Sequence, residues 1–456
     1  MKFRPSQIVL FLAAYLPLEE FILKWMPVSD SIFLLLRQIP DLLILLVGII
    51  VLCNQISRWR GLRGFGRPFD GLIVAFILAA FISLVLNKAD IIPVIAHLKA
   101  LLRYVFLAYI IHTFTLSVRD KERLIRILIF GVIVQISLGL SQIVGGVPLR
   151  DFLGARNTTS ELAGFKADFT GTRFEDVNNL MGTMGNTIDY GAFLLVGVAL
   201  FLCVVPQRRR VARLIGISMS LLCIFLTNSR SAIIASVVIL FVYTYMEHGR
   251  RRALVLGTMV ATCLSVVLLV LPIYQSSGDI NSQYSSRTRF FDMFTSDYVQ
   301  EAMNQRLGLV VYVVPDFFAD VSSVAFGYTP DPKVYLVAAQ KRFPHIPDSL
   351  LLDLAGIIED VYWLALMIYF GVIGFALFAG AIAWAIHALA RAYRKEIAPD
   401  RRRFILFALL LMVSSIPLNC FNQVFLMRQF SLCLWTTFAL ALSTQKEEFH
   451  AYSSST

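Results

Sequence analysis

The chain has 456 residues, of which 57% are hydrophobic and only 16% are charged. An ordinary soluble domain carries about a quarter charged residues, so this composition excludes one. The net charge of +11 does not indicate nucleic-acid binding, because most of the Lys and Arg residues lie in short loops between apolar runs. Such loops are typical of membrane topology. We expect a polytopic membrane protein with no nucleic-acid partner.

The apolar runs are long enough to cross a hydrocarbon core of ~30 Å as helices. They are continuous rather than alternating, which predicts an all-α bundle and not a β-barrel. The twelve predicted transmembrane spans are 6–23, 38–54, 69–86, 91–115, 124–145, 186–205, 214–229, 231–246, 253–272, 361–390, 404–419 and 424–443. Glu19 and Glu20 interrupt the first span. This span follows basic residues and lacks a small-residue cleavage site, so we expect a retained first helix rather than a signal peptide.

The loops between these spans alternate in charge. Every second short loop is basic, as in QRRRVAR and RAYRKEIAPDRRR, and the positive-inside rule assigns those loops to the cytoplasm. An even number of spans then puts both termini in the cytoplasm. Two long polar segments, 146–185 and 273–360, fall on the opposite, periplasmic side. The second contains aliphatic and aromatic residues throughout and predicts a large, partly helical periplasmic loop.

Three regions follow from this topology. Residues 1–272 contain spans one to nine, residues 273–360 form the large loop, and residues 361–456 contain the last three spans and a cytoplasmic tail. The six cysteines lie in or at the ends of apolar runs, and no pair of them has metal-ligand spacing. We therefore expect neither a disulfide framework nor a metal site.

Four basic residues lie within the predicted spans or at their edges: Lys99, Arg103, Arg230 and Arg428. The topology puts all four in the outer half of the membrane. A charge at such depth is unfavourable unless it is paired, hydrated or close to the interface. Two interpretations are open. The side chains could snorkel to the headgroups, or they could line a recess for an anionic lipid headgroup on the outer side.

Arg230 lies in a polar elbow between two spans, within the stretch LTNSRSAIIA. Asn228 and Ser229 precede it, and Ser231 follows. A guanidinium is a planar fork of donors that matches phosphate oxygens, and neighbouring hydroxyl and amide groups add further donors. The elbow is therefore a candidate site for a phosphate or pyrophosphate.

Four segments, in one order along most of the chain, carry a family resemblance. They are MGTMGNTIDYGAFLLV at 181–196, LTNSRSAIIA at 226–235, NQRLGLVVYVVPDFFADVSSVAFGY at 304–328 and EDVYWLALMIYFGVIGFALF at 359–378. The first two are similar to a Gly-Thr-x-Gly-Asn segment and a Ser-Arg elbow. The third is similar to an outer-loop segment with an Arg and a later Gly-aromatic pair. The fourth is similar to the end of that loop, followed by Gly-x-x-Gly. The chain resembles the O-antigen ligase and polymerase superfamily of bacterial polysaccharide enzymes.

The resemblance implies a GT-C-like fold in the bacterial inner membrane. It also implies a substrate, an oligosaccharide on undecaprenyl pyrophosphate that is presented at the periplasmic face. Ligases of the family carry His followed by Asn where this chain has Asp360 and Val361. Members that build polysaccharide more often carry Asp at this point, which favours a polymerase of O-antigen, capsule or exopolysaccharide. A flippase and a chain-length regulator are the protein partners such a polymerase would have.

Transfer from a pyrophosphate needs cations where negative charge develops on the leaving group. Arg230 and Arg306 are the first candidates for this role. Further substrate-binding candidates are Lys99, Arg103, Arg428, Asn228 and Ser229. The outer loops contain no DxD-type metal motif, so we expect metal-independent glycosyl transfer without a cofactor or a nucleotide sugar.

A base is also needed to take the proton of the acceptor hydroxyl. Asp360 is the first candidate, and Glu359 and His345 are the alternatives. A structural role is open for the two acids, because carboxylates at the start of a span also cap helices.

Two other functions compete with a polymerase. A ligase that transfers glycan to lipid A core would share the donor and the fold. A transporter or flippase would also have twelve spans and intramembrane charges. Against the transporter stand the lack of a half-to-half repeat, the large outer loop, and the clustering of charge in one leaflet instead of the midplane.

Overall fold

The structure is a computed structural model that describes residues 5–57, 64–114, 116–154, 158–162, 165–169, 180–227, 229–252, 254–255, 257–258, 321–331 and 361–443. The first half of the chain forms α1 (Pro5–Tyr15), a 3₁₀ turn (Leu16–Leu18), α2 (Glu19–Lys24), α3 (Asp30–Leu36), α4 (Ile39–Ile56), α5 (Arg67–Leu86), α6 (Ile91–Phe114), α7 (Val118–Leu153), β1 (Thr158–Leu162) and β2 (Phe165–Phe169). The second half forms α8 (Thr187–Cys203), a 3₁₀ turn (Gln207–Arg209), α9 (Arg210–Leu226), α10 (Arg230–His248), α11 (Val321–Phe326), α12 (Tyr362–Lys395), α13 (Pro399–Asn419) and α14 (Arg428–Ser443).

The helices confirm a membrane-embedded, helical protein. Eight helical segments of the described residues are long and apolar enough to cross a bilayer: Pro5–Lys24, Asp30–Ile56, Arg67–Leu86, Ile91–Phe114, Val118–Gly146, Arg230–His248, Tyr362–Lys395 and Pro399–Asn419. Helices α8, α9 and α14 coincide with three more predicted spans but are shorter, at 16 or 17 residues. Nearly all of the predicted span 253–272 lies outside the described residues, so a total of twelve stays a prediction.

One element in the predicted outer segment 146–185 is not helical. Strands β1 and β2 pair antiparallel, with Thr158 opposite Phe169 and Leu162 opposite Phe165. Helix α7 runs past the predicted end of its span and bends at Gly146, whose φ of 57° is outside the helical range. The segment thus begins as a continuation of α7 and turns back as a hairpin.

Helices α8, α13 and α14 form the centre of the bundle. Every side chain of α8 from Tyr190 to Cys203 is buried, and α13 and α14 are buried along most of their lengths. Helices α4 and α5 instead expose large apolar side chains, such as Leu45 and Val85, along one face. An exposed apolar face on a helix in a membrane protein is suited to contact with lipid.

The basic segments meet at one end of the bundle. The Tyr393 hydroxyl, near the end of α12, donates to Glu247 Oε1 at 2.9 Å and accepts from Arg402 Nη2 at 3.1 Å. These contacts join the end of α10 to the start of α13. At the opposite end, the Ser83 hydroxyl near the end of α5 donates to the Tyr369 carbonyl near the start of α12 at 3.3 Å. Helix α5 therefore runs antiparallel to α12, and α10 runs antiparallel to α13, with the basic loops after α10 and α12 at the same end.

Two glycines hold the described segment of the large loop, 321–331, against a bend in α12. Gly371 has a φ of 70° and a ψ of 178°, a conformation that is essentially restricted to glycine. Tyr328 N donates to the Ile368 carbonyl at 2.8 Å and Thr329 N donates to the Tyr369 carbonyl at 2.9 Å, so the short segment after α11 runs along the bend. A Cβ on Gly327 would lie 2.5 Å from the Gly371 nitrogen. The two backbones approach too closely for any side chain at these positions.

We predict that Gly371→Ala lowers the thermal stability of the detergent-solubilised protein. The strained conformation alone costs about 1–3 kcal/mol, and a Cβ at this position would also collide with the Ala325 carbonyl. The matched control is Gly380→Ala in the same helix, where the nearest atom to a new Cβ is 3.6 Å away. Heating followed by size-exclusion chromatography measures the apparent Tm. Equal Tm values for the two variants would contradict the role given to Gly371.

Candidate functional site

A polar cleft of about 470 Å³ opens at the end of the bundle opposite the basic loops. The N-terminal helices, the start of α8 and the loop before α14 form its walls. The described lining residues are Glu19, Glu20, Leu34, Arg37, Gln38, Arg103, Asn186, Ile188, Asp189, Asn422, Gln423, Leu426, Met427, Arg428 and Gln429. The cleft thus combines three arginines with three carboxylates and several amides, and is suited to a polar, charged ligand.

Asp41, in the first turn of α4, pairs with two cations of α6. Lys99 Nζ lies 3.0 Å from one of its carboxylate oxygens, and Arg103 Nη1 lies 3.2 Å from the other. Lys99 also donates to Gln38 Oε1 at 2.7 Å, and Arg103 Nη2 donates to the Leu426 carbonyl at 2.7 Å. The Arg103 side chain is only 8% exposed and lies roughly 18 Å along α6 from the start of that helix. It is held inside the bundle by Asp41 and the Leu426 carbonyl.

Arg428 begins α14 and is held by the N-terminal helices. Its Nη1 lies 2.6 Å from Glu19 Oε1 and donates to the Arg37 carbonyl at 2.6 Å. Glu19 is buried at 1% exposure. The neighbouring Glu20 pairs with the more exposed Arg37 at 2.7 Å. The two glutamates that interrupt the first predicted span therefore neutralise two arginines of the cleft.

Arg428 has N–H donors that remain available to a ligand in the cleft. A guanidinium has five N–H groups, and the contacts of Arg428 with described residues all involve Nη1. Its Nε and Nη2 make no hydrogen bond to the described part of the chain, and Arg428 lines the cleft. These atoms are the best placed of the described donors to bind an anion there.

Two buried glutamines of α7 shape the segment before α8. Gln142 Oε1 accepts from the Met181 and Gly182 nitrogens, both at 3.1 Å. Gln135 Oε1 accepts from the Thr183 nitrogen at 3.2 Å, and Gln135 Nε2 donates to the Thr183 hydroxyl at 2.6 Å. Position 182 favours glycine because the backbone φ there is 54°, in the left-handed region. This loop, clamped by the two glutamines, positions the first turn of α8 in the wall of the cleft.

Asn186 ends this loop and caps α8. Its Oδ1 accepts from the Ile188 nitrogen at 2.7 Å, so one of the first backbone donors of the helix is satisfied. The cap and Asp189, one turn on, both line the cleft.

The Ser-Arg elbow reaches the cleft through Asn422. Asn422 Nδ2 donates to the Ser231 hydroxyl, and the Ser231 and Ser229 hydroxyls lie 3.2 Å apart. Asn422 itself lines the cleft. Arg230 is the first residue of α10 and is half-buried, next to these hydroxyls in sequence. It is not among the described lining residues, so the elbow borders the cleft from behind.

The structure thus brings Arg103 and Arg428 together in the wall of the cleft. Lys99 lies beside Arg103, because both pair with Asp41. Ser229 is connected to Asn422 through the Ser231 hydroxyl. Apart from Arg230, the other predicted site residues lie outside the described residues: Asn228, Arg306, His345, Glu359 and Asp360. Their roles stay predictions.

Sequence reasoning missed most of the acidic side of the cleft. Glu19, Glu20 and Asp41 were visible only as acids in or near apolar spans, and Asp189 only as part of the quoted segment 181–196. An acid in an apolar span is itself a signal, because burial of a carboxylate requires a partner. The pattern does not reveal which cation is that partner, since Glu19 and Arg428 are far apart along the chain.

A second cleft, of about 410 Å³, lies at the end of the bundle with the basic loops. Its described lining residues include His112, His387, Arg391 and Lys395 and contain no carboxylate. Among the described residues, no group of His, Cys, Asp and Glu side chains could hold a metal ion in either cleft.

A scan against protein-family models matches no family, and a search of curated proteins finds no match. The functional proposal therefore depends on the cleft and on the residues that build it.

We predict that Glu19→Gln destabilises the ligand-free protein strongly. The change leaves the half-buried Arg428 charge without its buried carboxylate partner, and removal of one partner from a buried pair costs roughly 3–5 kcal/mol. The matched control is Glu122→Gln, which breaks the exposed Arg126–Glu122 pair on α7. An exposed pair contributes about 0–1 kcal/mol.

Chemical denaturation of the two variants in the same detergent measures both effects. Similar losses for Glu19→Gln and Glu122→Gln would show that the Arg428–Glu19 pair does not hold the N-terminal helices.

Proposed function

We propose that the protein is a polysaccharide polymerase of the bacterial inner membrane. It transfers a glycan from undecaprenyl pyrophosphate to a hydroxyl group of a lipid-linked repeat unit at the periplasmic face. The observation that carries this proposal is the arginine-lined cleft, with spare donors on Arg428, at the end of the bundle opposite the basic loops. The sequence resemblance supplies the substrate class.

The charge distribution supports the orientation. The basic loops gather at one end of the bundle, and the positive-inside rule assigns that end to the cytoplasm. The cleft then opens to the periplasm. A lipid-linked donor would reach it with its tail in the bilayer and its pyrophosphate at the membrane edge, where Arg428 and Arg37 lie.

The ion pairs give the cleft a way to receive a pyrophosphate. In the ligand-free protein the carboxylates of Glu19, Glu20 and Asp41 neutralise its cations. Among the arginine pairs of the cleft, the Arg37–Glu20 pair is the most exposed, with Arg37 at 43% exposure. Arg37 is therefore the arginine most able to exchange its carboxylate for a phosphate, while Arg428 can bind with its unused nitrogens and keep Glu19.

Arg230 would act at the back of the same site. It begins α10, a helix of 19 residues, and helix N-termini favour negative charge. The hydroxyls of Ser229 and Ser231 and the amide of Asn422 link it to the cleft wall. Cations near the leaving group stabilise the charge that develops as the glycosidic bond breaks.

The identity of residue 360 separates the polymerase from the ligase. Asp360 stands where ligases of the resembled family carry His, which favours the polymerase. A strain that lacks the protein distinguishes the two. Loss of a polymerase leaves single lipid-linked repeat units, whereas loss of a ligase leaves long lipid-linked chains. Accumulation of long chains, or unchanged lipid-linked saccharides, would contradict the proposal.

In that strain we predict that Arg230→Ala fails to restore polymer although the protein reaches the membrane at a normal level. Arg230→Lys should restore it only partly, because an ammonium cannot replace the planar fork. The matched control is Arg213→Ala, since Arg213 lies near the opposite end of the neighbouring helix α9 and bonds the Tyr243 hydroxyl. Polymer length is measured as a ladder on a gel. A full ladder with Arg230→Ala would make the elbow purely structural.

A further inference from the structure

Four acidic residues border the cleft or pair with its cations, and Asp189 differs from the other three. Glu19, Glu20 and Asp41 each lie within 3.2 Å of a cation. Asp189 lines the cleft. In the described part of the chain, no cation lies within ion-pair distance of its carboxylate and no group donates a hydrogen bond to it. It is the carboxylate of the cleft left available to a ligand.

An ion-pair partner changes how well a carboxylate accepts a proton. An ion pair stabilises the charged form of a carboxylate and so weakens it as a base. The paired acids of the cleft are therefore poor proton acceptors. A carboxylate that faces a cleft with no cation in ion-pair contact is a better one, and it can accept a hydrogen bond from a sugar hydroxyl as that hydroxyl binds.

A helix-capping role would also explain an acid at position 189, but the hydrogen bonds do not favour it. An acid at the third position of a helix often accepts a hydrogen bond from the backbone N–H of the cap residue. Asp189 is third in α8 after the cap Asn186, yet the described residues show no such bond. Asn186 caps the helix with its own side chain. The clamped loop before α8 holds Asp189 in place without using its carboxylate.

We propose that Asp189 is the general base of the transfer reaction, a proposal that rests on the function proposed above. Its carboxylate accepts the proton of the acceptor hydroxyl while the hydroxyl oxygen forms a bond to the anomeric carbon of the donor. The bond from that carbon to the phosphate oxygen breaks, and its electrons leave with undecaprenyl pyrophosphate. Arg428 and Arg37 line the same cleft and hold the leaving group. The proton then passes from Asp189 to water.

This assignment gives Asp189 the role for which the sequence alone favoured Asp360. The decisive variants are Asp189→Asn, Asp189→Glu and Asp360→Asn. Asp120→Asn is the matched control, because Asp120 holds the same third position in α7, after the cap Ser117, at the opposite end of the bundle. Each purified variant is reconstituted in liposomes with a lipid-linked repeat unit, and kcat, KM and the apparent Tm are measured.

We expect Asp189→Asn to lower kcat by about 10²–10⁴-fold, with KM for the donor and Tm unchanged. Asp189→Glu should recover part of the rate because it restores a carboxylate, and Asp120→Asn should act like the wild type. A normal kcat for Asp189→Asn would overturn the proposal, and so would a Tm loss that Asp189→Glu shares. Loss of activity in Asp360→Asn alone would return the role of base to Asp360. A wild-type protein that forms no glycosidic bond would instead overturn the proposed function itself.

Discussion

A charge buried inside a membrane protein is costly unless it is paired or hydrated, and here ion pairs join the two ends of the chain. Arg428 at the start of α14 is bound to Glu19 near the N-terminus. Arg103 of α6 is bound to Asp41 of α4. Since an unpaired buried charge is strongly destabilising, these contacts tie the N-terminal helices to the central bundle. The cleft exists because its walls are held together by the charges that line it.

The segments that carry the family resemblance mostly build the frame around this cleft. The loop at 181–186 is clamped by Gln135 and Gln142 and sets the start of α8. The close approach of Gly327 to Gly371 attaches the described segment of the large loop, 321–331, to α12. In both places glycine provides a backbone conformation that other residues rarely adopt. These glycines position the backbone next to the residues to which we assign the chemistry.

The sequence predicts the helices well because apolar runs of the right length have few other structures open to them in a bilayer. Eleven of the twelve predicted spans coincide with described helices.

The acids that face these cations do not follow from any pattern. Glu19 meets Arg428 only through tertiary packing, and so the sequence alone suggested cations awaiting a ligand where the structure has ion pairs. Arg103 and Arg428, which the sequence predicts to share a recess, do line one cleft.

The central claim is that this cleft binds the pyrophosphate of a lipid-linked donor. Photo-crosslinking tests it most directly, with undecaprenyl pyrophosphate that carries a diazirine in the isoprene unit next to the phosphate. We expect labelled peptides from the described walls, at 99–107 and 422–429, and competition by unlabelled undecaprenyl pyrophosphate but not by undecaprenol. Labelling confined to the second cleft, around Trp384 and Arg391, would contradict the claim.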